Sequence, residues 1–222
     1  MRSGASASWD KRAECTLYQN MQKSDSSRRA VLDAALHLFS RQGFGPTSVR
    51  DIADRAGVSI GAVYHHFEEK EAIFRELIRE YEEVTGTERF PFTRVLRGSS
   101  DFPDNIEELG FAARDSVRQF RPYLALIYVD VIEFQGNHIQ NFYGGLAARF
   151  ESFFSNEADA EKIRAKLRPN VSIASALLLT SRLFFNYFSL EILFGVKEPF
   201  GKESTEVVKE IADVLRNGIC AR

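Results

Sequence analysis

Ser59, Ile60, Gly61, Ala62, Tyr64, His65, His66 and Lys70 fall within twelve residues, and their types suit two kinds of contact with a nucleic-acid duplex. Hydroxyl, imidazole and ammonium groups can hold phosphate oxygens. Ile60 and Ala62 can touch thymine methyl groups, and Gly61 lets backbone approach closely. Arg50, nine residues before Ser59, is the guanidinium placed to fork onto a guanine. A half-exposed aromatic cluster is the plain alternative for Tyr64, His65 or His66 taken singly. Their joint spacing behind Gly57 argues for a shared surface.

Such a surface needs short, firmly seated helices. Thr47 or Ser48 can cap the amides of a helix start, and Val49, Ile52, Ala53 and Ala56 then repeat at i, i+3, i+4 and i+7, giving one apolar face. Gly57 can end that helix with positive φ, Val58 plugs the turn, and Ser59 caps the next helix. In that second helix Val63 and Phe67 form an inward i, i+4 pair, which leaves Ile60, Gly61, Tyr64 and His65 outward. Two helices separated by so few residues must cross sharply, as in a helix-turn-helix.

Gly57-Val58-Ser59, Gly61, Tyr64, Phe67 and Lys70 resemble the signature of the tetracycline-repressor (TetR-type) family of transcription regulators. The resemblance covers roughly Ser24 to Tyr81. It includes a preceding helix, Ser27 to Gln42, with apolar positions at Val31, Leu32, Ala35, Leu36, Leu38 and Phe39, ended by Gly43-Phe44. It implies an all-α homodimer: an N-terminal three-helix DNA-binding domain, a C-terminal helical bundle for effector and dimerisation, and repression relieved by a small molecule. Position by position, it assigns Thr47, Tyr64, His66 and Lys70 to phosphate positioning. Arg50, Ile60, Gly61, Ala62 and His65 fall where family members meet base edges, with Ser48 and Ser59 at the flanking caps. Glu68 and Glu69 depart from the neutral residues frequent there. They favour the start of the next helix at some cost in DNA affinity.

The 222 residues are 44% apolar, enough for one large or two modest cores. With 29 basic against 31 acidic residues there is no global basic field, so DNA affinity must come from placed contacts, and non-specific binding should be weak. Cys15 and Cys220 lie at opposite ends without metal-ligand spacing, and residues 1–10 lack the apolar core of a secretory leader, which points to a reducing cytoplasm. The expected organisation is a flexible arm over 1–23, a helix-turn-helix domain over 24–70 and a ligand-binding and dimerisation domain over 71–222. A groove-reaching role for Lys11, Arg12 and Lys23 is the alternative for the arm.

Beyond Tyr81, breaks at Gly86, Gly98 to Pro103, Pro122, Gly136, Pro169 and Gly195 to Gly201 divide helical stretches near 69–87, 103–118, 122–134, 137–154, 158–166, 171–194 and 203–218. The aromatic run from Phe90 to Pro103 reads as a loop. Val171 to Gly195 is the longest apolar stretch, but Arg182, Asn186 and Glu191 interrupt it, which argues for a buried helix and against a membrane span. The resemblance places dimerisation on this helix and the last one, and a two-fold suits a palindromic operator.

The chain has nineteen Phe and seven Tyr, most of them in its C-terminal part. Most should be core, yet aromatics with a few polar groups could line a pocket for a small hydrophobic effector, fatty-acyl or otherwise lipid-like. Tyr128 to His138 resembles a segment of lipid-metabolism regulators in the family. Arg118, Tyr128, Glu133, His138, Asn141 and Asn186 are the candidate head-group residues. Asp130, Glu133 and Asn137 share a helix face near His138, but their spacing is poor for metal, and neither a metal nor another cofactor is expected. An enzyme would need a phosphate loop, nucleophile elbow or zinc set that the sequence lacks. A helical interaction module would leave Tyr64 and Lys70 incidental.

Overall fold

The computed structural model describes residues 11–98, 101–154 and 156–220, with side chains from Ser24 onward except that of Glu157. All regular elements among them are helical; the only β pairing there is an isolated bridge, Leu167 to Cys220. The chain forms two compact units, one ending at Phe74 and one starting at Arg75, so the boundary lies a few residues beyond the expected 70/71.

The first unit holds α1 (Lys11–Gln42), α2 (Val49–Ala56), α3 (Ile60–His66) and the start of α4 (Lys70–Thr85). Helix α1 begins well before the expected Ser27. Of the expected arm, residues 1–10 lie outside the described residues and 11–23 continue the helix backbone. Val31, Leu32, Ala35 and Phe39 are buried along α1, with Ile52 and Ala53 from α2 and Val63 and Phe67 from α3. Three rings close the core beside α4: Phe39, Phe44 and Phe74 stand 5.3 to 5.7 Å apart, two of the pairs edge-to-face.

The second unit contains the rest of α4, α5 (Pro91–Gly98), α6 (Ile106–Gln119), α7 (Arg121–Phe134), α8 (Gln140–Gly144), α9 (Leu146–Ser152), α10 (Glu157–Lys166), α11 (Ile173–Phe188) and α12 (Ser204–Ile219). Helix α6 is central and packs against α5, α7, α11 and α12. Two expectations change here. The aromatic run after Phe90 is not a loop throughout: Pro91 opens α5, where a missing N–H costs nothing, and Phe92 and Leu96 are buried. The Phe92 amide donates to Ser116 Oγ at 3.0 Å, and that hydroxyl donates to the Ala112 carbonyl, tying α5 to α6. The expected helix 137–154 is two short helices, α8 and α9, meeting at Gly144-Gly145.

Helix α11 runs into a single π turn, Ser189–Leu193. Together they are long and apolar enough to cross a membrane by length and composition, with a mean hydropathy of 1.3. Within the bundle this helix buries Ala176, Leu177, Phe184 and Phe188 against its neighbours, chiefly α6 and α9.

At Gly110 of α6 side chains of α11 and α12 come into close contact with the helix. A Cβ there would sit 2.8 Å from both Phe184 Cε1 of α11 and Val208 Cγ1 of α12, and both side chains are fully buried. Overpacking costs about 1–3 kcal/mol, more than the roughly 1 kcal/mol of helix propensity that Gly→Ala returns. Gly110→Ala is therefore expected to lower stability by about 1–2 kcal/mol in denaturant titration; a stabilised variant would show that these helices can separate freely.

Candidate nucleic-acid interface and effector cavity

Helix α2 starts at a full capping box. The Asp51 amide donates to Ser48 Oγ at 3.1 Å, and the Ser48 amide and hydroxyl donate to the Asp51 carboxylate at 2.9 and 2.6 Å. These hydrogen bonds hold the Asp51 carboxyl below its usual pKa. Gly57 ends α2 at φ 69°, and Ser59 Oγ caps α3 by accepting from the Ala62 amide at 3.1 Å. Ser48 and Ser59 thus spend their side chains on helix starts.

On α3, Val63 is buried while Ile60, Tyr64 and His65 are exposed, Tyr64 at 53%. Gly61 is also exposed, and a Cβ added there would meet nothing closer than Ser59 Oγ at 3.9 Å, so the fold itself does not require glycine. On α2, Arg50 is exposed and makes no ion pair among the described residues. One outward face therefore carries apolar, phenolic and imidazole groups, with an unpaired guanidinium on the neighbouring helix and no acid on α3.

Three residues expected to position phosphates are differently employed. Thr47 is fully buried; its hydroxyl donates to the Gly43 carbonyl at 2.8 Å and accepts from Gln42 Nε2. Lys70 Nζ donates to the carbonyls of Phe44 and Thr47 at 2.8 and 2.7 Å, with a longer 3.5 Å approach to that of Gly45, and lies 4.0 Å from the Phe44 ring centroid. Its donors are directed at loop carbonyls, so it fixes the α1–α2 loop. His66 shares a 2.6 Å hydrogen bond with Ser27 Oγ and so ties α3 to α1. Partial burial, then the neighbouring His65 and Arg28 charges, lower its pKa, with Asp25 opposing. The residues left facing outward are Arg50, Ile60, Gly61, Tyr64 and His65, with Ala62 half-buried at the margin.

The second unit holds a partly open cavity of about 440 Å³, within the range of roughly 300–1,000 Å³ usual for small-molecule sites. Phe90, Phe92, Phe142, Phe150 and Phe185 supply much of its wall, with Tyr81 and Thr85 from α4. Of the six head-group candidates, Tyr128 and Asn186 line it. Arg118, Glu133 and Asn141 are exposed outside its wall. His138 also lies outside: its Nδ1 is 2.6 Å from the carboxylate of fully buried Asp130, which also accepts from the Ile139 amide at 3.2 Å. That pair closes the C-terminal end of α7 over the turn made by Gln135 and Gly136, both at positive φ. Among the described residues, no three His, Cys, Asp or Glu side chains gather as a metal site.

Sequence reasoning missed the two guanidiniums that do line the cavity. Arg149 Nη1 donates to Thr85 Oγ1 at 2.9 Å and approaches the Glu82 carbonyl at 3.4 Å. Arg182 lies over the Tyr143 ring, 4.4 Å from its centroid. Burial raises the Tyr143 pKa, and Arg182 opposes that rise. A helical wheel could have placed Arg182 beside Asn186 on α11, but Arg149 sits on a helix too short for periodicity to orient.

Residues 31–77 match the model of the family described as bacterial regulatory proteins, tetR family. The transcriptional repressor KstR2 of Rhodococcus jostii is 25% identical over 150 residues, 67% of this chain and 72% of that protein. The transcriptional regulator AcrR of Shigella flexneri is 46% identical over 56 residues, 25% of this chain and 26% of that one, so this match spans about a quarter of AcrR. A crystal structure of a TetR family transcription regulator from Marinobacter aquaeolei superposes with a TM-score of 0.61 at 17% identity, covering 91% of this chain and all of that one. The capped helix pair and its outward α3 face agree with these likenesses: residues 31–77 form a helix-turn-helix domain of the tetR family of bacterial regulatory proteins, and the chain is similar to DNA-binding transcription regulators.

Proposed function

We propose that the protein is a cytoplasmic homodimeric repressor that leaves a palindromic operator when a small hydrophobic ligand fills the cavity of its second unit. The observation that carries the DNA half is the outward face of α3, whose exposed Ile60, Tyr64 and His65 have no role in the core. The observation that carries the ligand half is the aromatic cavity.

Dimerisation is supported by apolar side chains that the single chain leaves in water: Leu179 and Leu183 on α11 are 51% and 44% exposed, and Val214 on α12 is 68% exposed. These two helices pack together, so one partner could cover all three. A two-fold would set two α3 helices against successive major grooves, roughly 34–36 Å apart.

Helix α4 is the proposed lever. Its first residue, Lys70, holds the loop before α2, and its later residues Tyr81 and Thr85 line the cavity. A ligand that prefers one setting of α4 shifts the population of operator-competent dimers only by its differential affinity for the two settings.

Two outcomes test this reading. Gly61→Ala should keep or slightly raise stability, by about 0.5–1 kcal/mol, because glycine is the poorer helix former. The added methyl on the α3 face should weaken binding to an operator selected from random duplexes by about tenfold, roughly 1.4 kcal/mol; undiminished affinity would remove α3 from the interface. Any cavity ligand that raises the melting temperature should lower operator affinity, and operator should lower ligand affinity by the same factor. Tight ligand binding with unchanged operator affinity would contradict the release mechanism.

A further inference from the structure

The cavity wall is apolar except for a few hydroxyls, one amide and two arginines, and no Asp or Glu lines it. Neither arginine forms an ion pair among the described residues. Arg149 makes both of its hydrogen bonds through Nη1, which leaves Nε–H and the Nη2 hydrogens without an acceptor among the described residues. Its planar group also lies 5.2 Å from the Phe142 ring centroid, so rotation is restricted. The acid Glu82 offers Arg149 its backbone carbonyl; burial raises the pKa of its carboxyl, which forms no ion pair with Arg149 and is not part of the wall. Arg182 is exposed at the rim and rests on Tyr143.

Guanidinium groups on a largely apolar wall with no neighbouring counter-charge repel a cation and gain most from an anion, which can accept two parallel N–H bonds. We infer that the effector is an amphipathic anion, an apolar body among the phenylalanines with a carboxylate or phosphate head held by Arg149 and Arg182. The inference rests on the cavity being the effector site. It excludes cationic and neutral hydrophobes as preferred ligands of that same cavity.

Calorimetric titration of the full chain with four probes of one chain length, dodecanoate, dodecyl phosphate, dodecanol and dodecylamine, tests this below their aggregation concentrations. At least one of the two anions should bind tenfold or more tighter than the alcohol and the amine, and the stronger anion names the head group. Arg149→Gln with Arg182→Gln should erase that preference while shifting dodecanol affinity by less than threefold. Because Arg149 also braces Thr85, melting temperature is measured alongside, and Arg182→Gln alone should still reduce the preference if the double variant unfolds. Equal binding of all four probes, tighter amine binding, or a preference that survives the double substitution overturns the anionic head and leaves the cavity reading standing. Binding of none removes the cavity reading and this inference with it.

Discussion

A helix of seven residues cannot hold itself together in water, so everything asked of α3 depends on how its neighbours seat it. Val63 and Phe67 are buried on one side, Ser59 caps the first turn, and His66 is bonded to Ser27 of α1. Lys70, immediately beyond, binds the loop that delivers α2. Ser59, His66 and Lys70 each commit a polar group that could otherwise have met a ligand. The face left over is defined by subtraction, and it is narrow: Ile60, Gly61, Tyr64 and His65, flanked by Arg50.

This division explains how a chain with nearly balanced charge can recognise a polyanion. Bulk attraction is absent, and cationic side chains such as Lys70 are committed to internal carbonyls. Recognition must then rest on shape, apolar contact and a few placed donors, which favours specific over non-specific association. In the second unit the logic is reversed. There two arginines, Arg149 half-buried and Arg182 at the rim, face an apolar space whose wall holds no acid among the described residues. Coulombic preference is strongest in such surroundings.

Much of this was legible in the sequence. Ser48, Gly57 and Ser59 mark caps that act through local backbone geometry, so their roles follow from neighbours one to three residues away. Buried Val63 and Phe67 follow from helical spacing. The roles of His66 and Lys70 were not legible, because their partners lie elsewhere in the chain: Lys70 reaches carbonyls 23 and 26 residues back, and His66 reaches a serine 39 residues back. Thr47 bonds only four and five residues back, but its full burial depends on how α1, α2 and the loop between them pack. Helix α5 was hidden by Pro91, which reads as a breaker yet opens the helix, and by the burial of Phe92 and Leu96 in a core that only the fold assembles. The cavity arginines were obscured likewise, since a wall drawn from α4, α5, α7, α8, α9 and α11 has no single period.

The central claim is that the outward face of α3 reads DNA, and Tyr64 tests it most directly because it is 53% exposed and its loss should leave the core untouched. Affinity of Tyr64→Ala for a selected operator, measured by fluorescence anisotropy beside its melting temperature, should fall tenfold or more while the melting temperature stays within a degree or two. An unchanged affinity in a folded variant would contradict the account and return the α3 face to an ordinary exposed surface.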